Sequence, residues 1–102
     1  MMLLYVPCPD AASARRIAKK LLQQKLVACA NLLPIESHYP WKGKLARSKE
    51  TVLLLKTRPA LARRAAREAE RLHPYERPCI LQLRANANPA YARWARGVTR
   101  RA

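Results

Sequence analysis

The chain has 102 residues, half of them hydrophobic, with two glycines, eight prolines and a formal charge of +15. That length supports one domain with its own core and is short for two, and the apolar fraction excludes a disordered or fibrous chain. No apolar run approaches the roughly 20 residues that span a bilayer, and the N-terminus lacks the basic region and cleavage site of a signal peptide, so a cytoplasmic location is expected.

Met2 to Val6 is a short apolar run ended by Pro7-Cys8-Pro9, which suits a buried strand. Asp10 then caps a helix: Ala14, Ile17, Ala18, Leu21 and Leu22 recur at helical spacing while Arg15, Arg16, Lys19, Lys20, Gln23 and Gln24 take the other side, to about Lys25. From Leu26 the helical period is lost, and the β-favouring Val27, Ile35, Tyr39 and Trp41 predict a long strand bent near Pro34. Lys42-Gly43-Lys44 supplies a turn, and Leu45 to Thr57 returns around the apolar block Val52 to Leu55. The two strands make a long hairpin.

Pro59 stands where a first-turn proline belongs, and Leu61, Ala62, Ala65, Ala69 and Leu72 give a second amphipathic helix, in which Arg64 and Glu68 are spaced to pair. It stops at His73-Pro74, because a residue before proline is pushed out of the helical region. Cys79 to Leu83 reads as a fourth strand, and Asn88-Pro89 opens a third helix with Tyr91, Trp94, Ala95 and Val98 as its inner face. The order predicts an α+β fold: a ferredoxin-like split β-α-β sandwich over residues 1–102, with a long β-hairpin and an extra C-terminal helix.

Each arm of the hairpin has about 15 residues and spans on the order of 50 Å, against a diameter of about 35 Å for a compact chain of this length. The hairpin must overhang, and its exposed edges call for a second copy to pair with them. A closed homo-oligomer is therefore expected.

Three cysteines, Cys8, Cys29 and Cys79, lie far apart without C-x-x-C spacing, which predicts reduced, mostly buried thiols and no structural zinc. The basic residues fall in three groups: Arg15 to Lys20, Arg63 to Arg71 and Arg93 to Arg101. They read as separate solvated faces, and with no Phe and only Trp94 among them the charge supports salt-sensitive, sequence-blind nucleic-acid association and no specific recognition. No membrane partner is expected. There is no Gly-rich phosphate loop, G-x-S-x-G, H-E-x-x-H or carboxylate dyad, so no catalytic residues and no enzyme activity are assigned.

The segments CPDAASARRIAKKLLQQKLVACANLLP, SHYPWKG, ETVLLLKT, HPYERP and NPAYARW, in this order, make the chain resemble the CutA divalent-cation tolerance proteins from Cys8 to Trp94. The resemblance implies a ferredoxin-like homotrimer similar in architecture to PII signalling proteins, with a part in tolerance of divalent cations such as copper. It also implies aromatic-lined clefts between subunits, open to a small, for instance anionic, ligand. Two departures stand out. Leu45 to Lys49 replace acidic residues before Glu50, and of a copper site built in one branch from a first-strand cysteine and two adjacent histidines, this chain has Val6 and a single His73. Cys8 shares the strand face of Val6.

Candidate residues follow. His73 is either the end of the second helix or, by resemblance, a metal ligand through an imidazole nitrogen. Tyr39, Trp41, Glu50, Lys56 and Tyr75 are candidates for the cleft. Glu50 is expected to pair with Lys56 or Lys49, or to face a cation there. Cys29 is expected to pack as a small hydrophobe and His38 to be exposed.

Overall fold

The structure is a computed structural model that describes residues 1–101. Its elements are β1 (Met2–Cys8), α1 (Ala11–Gln23), β2 (Cys29–Trp41), β3 (Lys44–Thr57), α2 (Pro59–Leu72), β4 (Leu81–Arg84) and α3 (Pro89–Val98). The strands form one sheet in the order β2-β3-β1-β4, every neighbouring pair antiparallel. This is the ferredoxin-like arrangement that the element order predicts.

Two boundaries differ from expectation. Helix α1 stops at Gln23 because Lys25 takes a left-handed φ of 57°, which turns the chain so that Leu26 N–H donates to Leu21 O. Leu26 and Val27 are then buried as part of the core, and β2 starts only at Cys29. Strand β4 begins at Leu81, not Cys79. The β2-β3 ladder runs on through Pro34, which lies opposite Thr51. A proline is admitted there because β2 is an edge strand, whose outward N–H positions need no partner.

Alternation along β1 puts Leu4, Val6 and Cys8 on one face, where the register joins them to Leu55, Leu53 and Thr51 of β3. Against that face pack Ile17 and Leu21 of α1 and Leu61, Ala65 and Ala69 of α2, forming one core. The alanines of α2 let its axis come close to the sheet. Asp10 is extended and its Oδ1 accepts the Ser13 N–H at 2.8 Å, so α1 is capped as expected. That bond holds the Asp10 carboxyl below its ordinary range. The expected Arg64 to Glu68 pair is replaced: Glu68 accepts from Arg71 Nε at 2.6 Å and from Gln24 Nε2 at 2.7 Å. Glu68 faces α1, which brings Gln24 within reach and leaves Arg64 on the outer side.

Strand β3 meets β1 only from Thr51 to Thr57, so Ile35–Trp41 and Lys44–Glu50 reach past the rest of the sheet. The overhang makes the molecule 46 Å long against 23 and 19 Å across. Its tip is a two-residue turn with left-handed φ at both Lys42 (51°) and Gly43 (77°), the combination whose twist fits a hairpin. The other sheet face is largely apolar and in good part exposed. Leu3 lies beside Leu83 and Tyr5 beside Leu81, and Leu33, Leu81 and Leu83 are each about half exposed. Helix α3 departs from expectation in the same way: of Tyr91, Trp94, Ala95 and Val98 only Ala95 is buried, Tyr91 is half-buried beside Lys56, and Trp94 and Val98 are exposed. The thiols also differ from expectation: all are free, but Cys8 alone is buried, Cys29 is half-buried beside Asn31, and Cys79 is exposed.

Candidate functional site

His73 ends α2 as its C-cap, with φ −73° and ψ 138°, as the proline after it requires. The ring is buried. Its Nδ1 accepts the Tyr75 N–H at 3.1 Å, and because that nitrogen receives a proton donor, Nε2 carries the ring hydrogen and donates to Pro7 O at 2.8 Å. Both nitrogens are occupied. The imidazole ties the end of β1 to the segment after α2 and sets Tyr75, whose ring lies 4.9 Å from it at 48°.

These residues do not fit a metal. Among the described residues no group of three or more His, Cys, Asp and Glu is placed to hold one. Cys8 donates from Sγ to Val6 O at 3.5 Å, and its pKa is pushed up to about 11, by burial first and then by the charges of Glu50 and Asp10. The Cys8 side chain is fully buried in the hydrophobic core beside Leu4 and Val6, turned away from the cleft.

Beside this junction opens a cleft of about 660 Å³. Tyr39 and Trp41 come to it from the overhanging part of β2, Glu50 from β3 where the overhang begins, and Tyr75, Glu76, Arg77 and Cys79 from the segment between α2 and β4. Pro7 and Pro74 stiffen its floor. Tyr75 Oη donates to Glu50 Oε2 at 2.7 Å, joining the two walls. The Tyr75 pKa is raised, by burial first and then by the bond and the charge of Glu50. Tyr39 Oη donates to Ser48 Oγ at 3.4 Å, and Trp41 is 61% exposed with Lys42 Nζ 5.7 Å from its ring.

Four of the five candidates therefore meet: Tyr39, Trp41, Glu50 and Tyr75. Lys56 does not join them. It lies six residues along β3 from Glu50, about 20 Å, with its Nζ 5.7 Å from the Tyr91 ring. Glu50 pairs with neither Lys56 nor Lys49, since Lys49 is its chain neighbour and points to the opposite face of the strand. His38 is exposed, as expected, beside Glu36 at 2.7 Å. Glu76, Arg77, Cys79 and Pro7 went unassigned in the sequence, although two of them lie inside HPYERP itself. Two carboxylates, one guanidinium and three rings suit the cleft to a small molecule with an aromatic or apolar body.

Fold and cleft together define a ferredoxin-like α+β protein with an aromatic-lined cavity at the root of a long hairpin. The chain belongs to the family described as CutA1 divalent ion tolerance protein, matched over residues 2–98. A divalent-cation tolerance protein CutA from Pyrococcus horikoshii is 37% identical over 95 residues, covering 92% of this chain and 93% of that one. Its crystal structure superposes with a TM-score of 0.94 at 34% identity, over 99% of this chain and 100% of that one. A periplasmic divalent cation tolerance protein CutA from Archaeoglobus fulgidus gives 0.91 at 32% identity, covering 96% and 98%. A PII-like CutA from Nostoc sp. PCC 7120 gives 0.90 at 29% identity, covering 98% of each chain.

Proposed function

We propose that this chain acts in divalent-cation tolerance as a homotrimer whose working site is the aromatic cleft, and that it binds there without catalysis. The observation that carries this reading is the convergence of Tyr39 and Trp41 of β2, Glu50 of β3 and Tyr75 after α2 on one cavity of small-molecule size. Support for self-association comes from the exposed apolar residues of the sheet at Leu33, Leu81 and Leu83, the exposed side of α3, and the unpaired overhang of the hairpin. The cleft lies at the root of that overhang, so a copy that pairs with it also walls the cavity.

Among the described residues Arg77 is the one cation lining the cleft, and it suits a ligand whose aromatic body stacks on the rings and whose single negative group meets the guanidinium. Copper at His73 would require the ring to give up its bond to Pro7 or to Tyr75, so the cation role is carried by family membership and not by that histidine. A reducing, cytoplasmic setting is consistent with three free thiols.

The experiment pairs two titrations at moderate salt. Anilinonaphthalene sulfonate, an aromatic monoanion, is expected to bind once per chain and to weaken about tenfold, some 1.4 kcal/mol, in Trp41→Ala and in Tyr75→Ala. Calorimetry with Cu(II) on alkylated protein is expected to give the same stoichiometry for wild type and His73→Ala. Dye binding untouched by both cleft variants, or a copper site lost with His73, would overturn the reading.

A further inference from the structure

Arg15, Arg16, Lys19 and Lys20 on α1 and Arg63, Arg64, Arg67 and Arg71 on α2 are all exposed. At about 100° per residue, each set lies on the side of its helix opposite the buried Ile17 and Leu21 or Leu61 and Ala65. The helices are neighbours on one sheet face: their buried residues share one core, and Gln24 Nε2 reaches across the gap to Glu68 Oε2 at 2.7 Å. Two groups that look separate in the sequence therefore make one surface. Residues 10–25 and 58–72 hold ten Arg and Lys against three Asp and Glu, and of those three Asp10 caps α1 while Glu68 is paired with Arg71.

We infer that this two-helix layer docks the phosphate backbone of a nucleic-acid duplex without reading its sequence. The occupant follows from what the layer has and lacks. Most of its cations are arginines, whose planar fork matches phosphate oxygens in pairs. Neither helix contains an aromatic residue, so unpaired bases find no ring to stack on. The apolar faces of both helices are consumed in the core, and Leu22 is the single large apolar side chain exposed on them, which leaves nothing to insert into a lipid surface. Two helices abreast, each about 10 Å across, are wider than the roughly 12 Å major groove, so the layer meets backbone and not base edges. It also faces away from the apolar side of the sheet, so it stays open whether or not copies pack through that side.

The test uses the full chain and a fluorescein-labelled duplex of arbitrary sequence, followed by anisotropy between roughly 50 and 200 mM NaCl. If four or five phosphates are neutralised, log K falls against log salt with a slope of about −4. One variant removes four layer charges (Arg15→Gln, Arg16→Gln, Arg63→Gln, Arg67→Gln), and a second removes four elsewhere (Lys44→Gln, Arg47→Gln, Arg93→Gln, Arg96→Gln). All eight are exposed side chains, so both variants should melt close to wild type, which circular dichroism verifies. The layer variant is expected to bind about tenfold more weakly, and the control to stay within about threefold of wild type. Equal losses in the two variants would reduce the effect to net charge and overturn the assignment. So would absence of binding at the lowest salt, or tighter binding to phosphatidylcholine vesicles containing phosphatidylserine than to the duplex.

Discussion

Glu68 shows how far one side chain depends on neighbours that sequence spacing does not reveal. It accepts two bonds from Arg71, at 2.6 and 3.0 Å, and one from Gln24 on the adjoining helix at 2.7 Å. These hold its pKa at about 2, below the ordinary 4.5, with the Arg71 bond the largest cause and the Gln24 bond next. The native state thus takes up this proton less readily than the unfolded chain, so the stability the carboxylate contributes is present above pH 4.5 and is lost as the pH falls toward 2. Glu68→Gln should lose stability less steeply than wild type over that window when melting temperature is followed against pH, and parallel curves would contradict the assignment. His73 and Glu50 repeat the lesson. Helical period and the following proline place His73 at the end of α2, but its bond to Pro7 spans 66 residues and the Tyr75 to Glu50 bond spans 25. Spacing along the chain carries no trace of either, which is why Glu50 was matched with the nearest lysines in sequence and not with a phenol brought beside it by the fold.

Among the elements, those with a strong period are legible in the sequence, and those that are short or largely exposed are less so. The buried stripes of α1 and α2 stand where alternating apolar and basic residues put them, and the hairpin follows from two β-rich runs about a Lys-Gly turn. Strand β4 has four residues and pairs only with β1, so local pattern set its start two residues early. The inner face of α3 is apolar as expected, but Trp94, beside the Tyr91 ring at 5.4 Å, and Val98 stay 48% and 40% exposed. The hairpin tip carries a sharper expectation. A Cβ on Gly43 would touch nothing, yet its φ of 77° is left-handed. Gly43→Ala should therefore cost about 1 kcal/mol through backbone strain alone, read as a lower midpoint in urea; an unchanged midpoint would show that the turn is held by something else. Tyr39 and Trp41 ride on this ladder, so its geometry positions two of the three rings of the cleft.

Over the whole molecule, three surfaces with different chemistry point in different directions. The α1-α2 layer is basic, the opposite sheet face is apolar, and the cleft lies at the root of the overhang between β1 and the hairpin. A chain with nearly half of Leu33, Leu81, Leu83 and Trp94 in water would hold an apolar face of the kind that marks an interface. The family relationship shows the fold, and within the chain both His73 ring nitrogens are engaged while Tyr39, Trp41, Glu50 and Tyr75 line one cleft. Trimer assembly is the claim on which the walls of that cleft depend, and light scattering on the purified chain at high salt tests it most directly, since salt suppresses charge-driven association. A homotrimer gives a mass of three times 11.6 kDa, and a mass of 11.6 kDa at all protein concentrations would rule the trimer out.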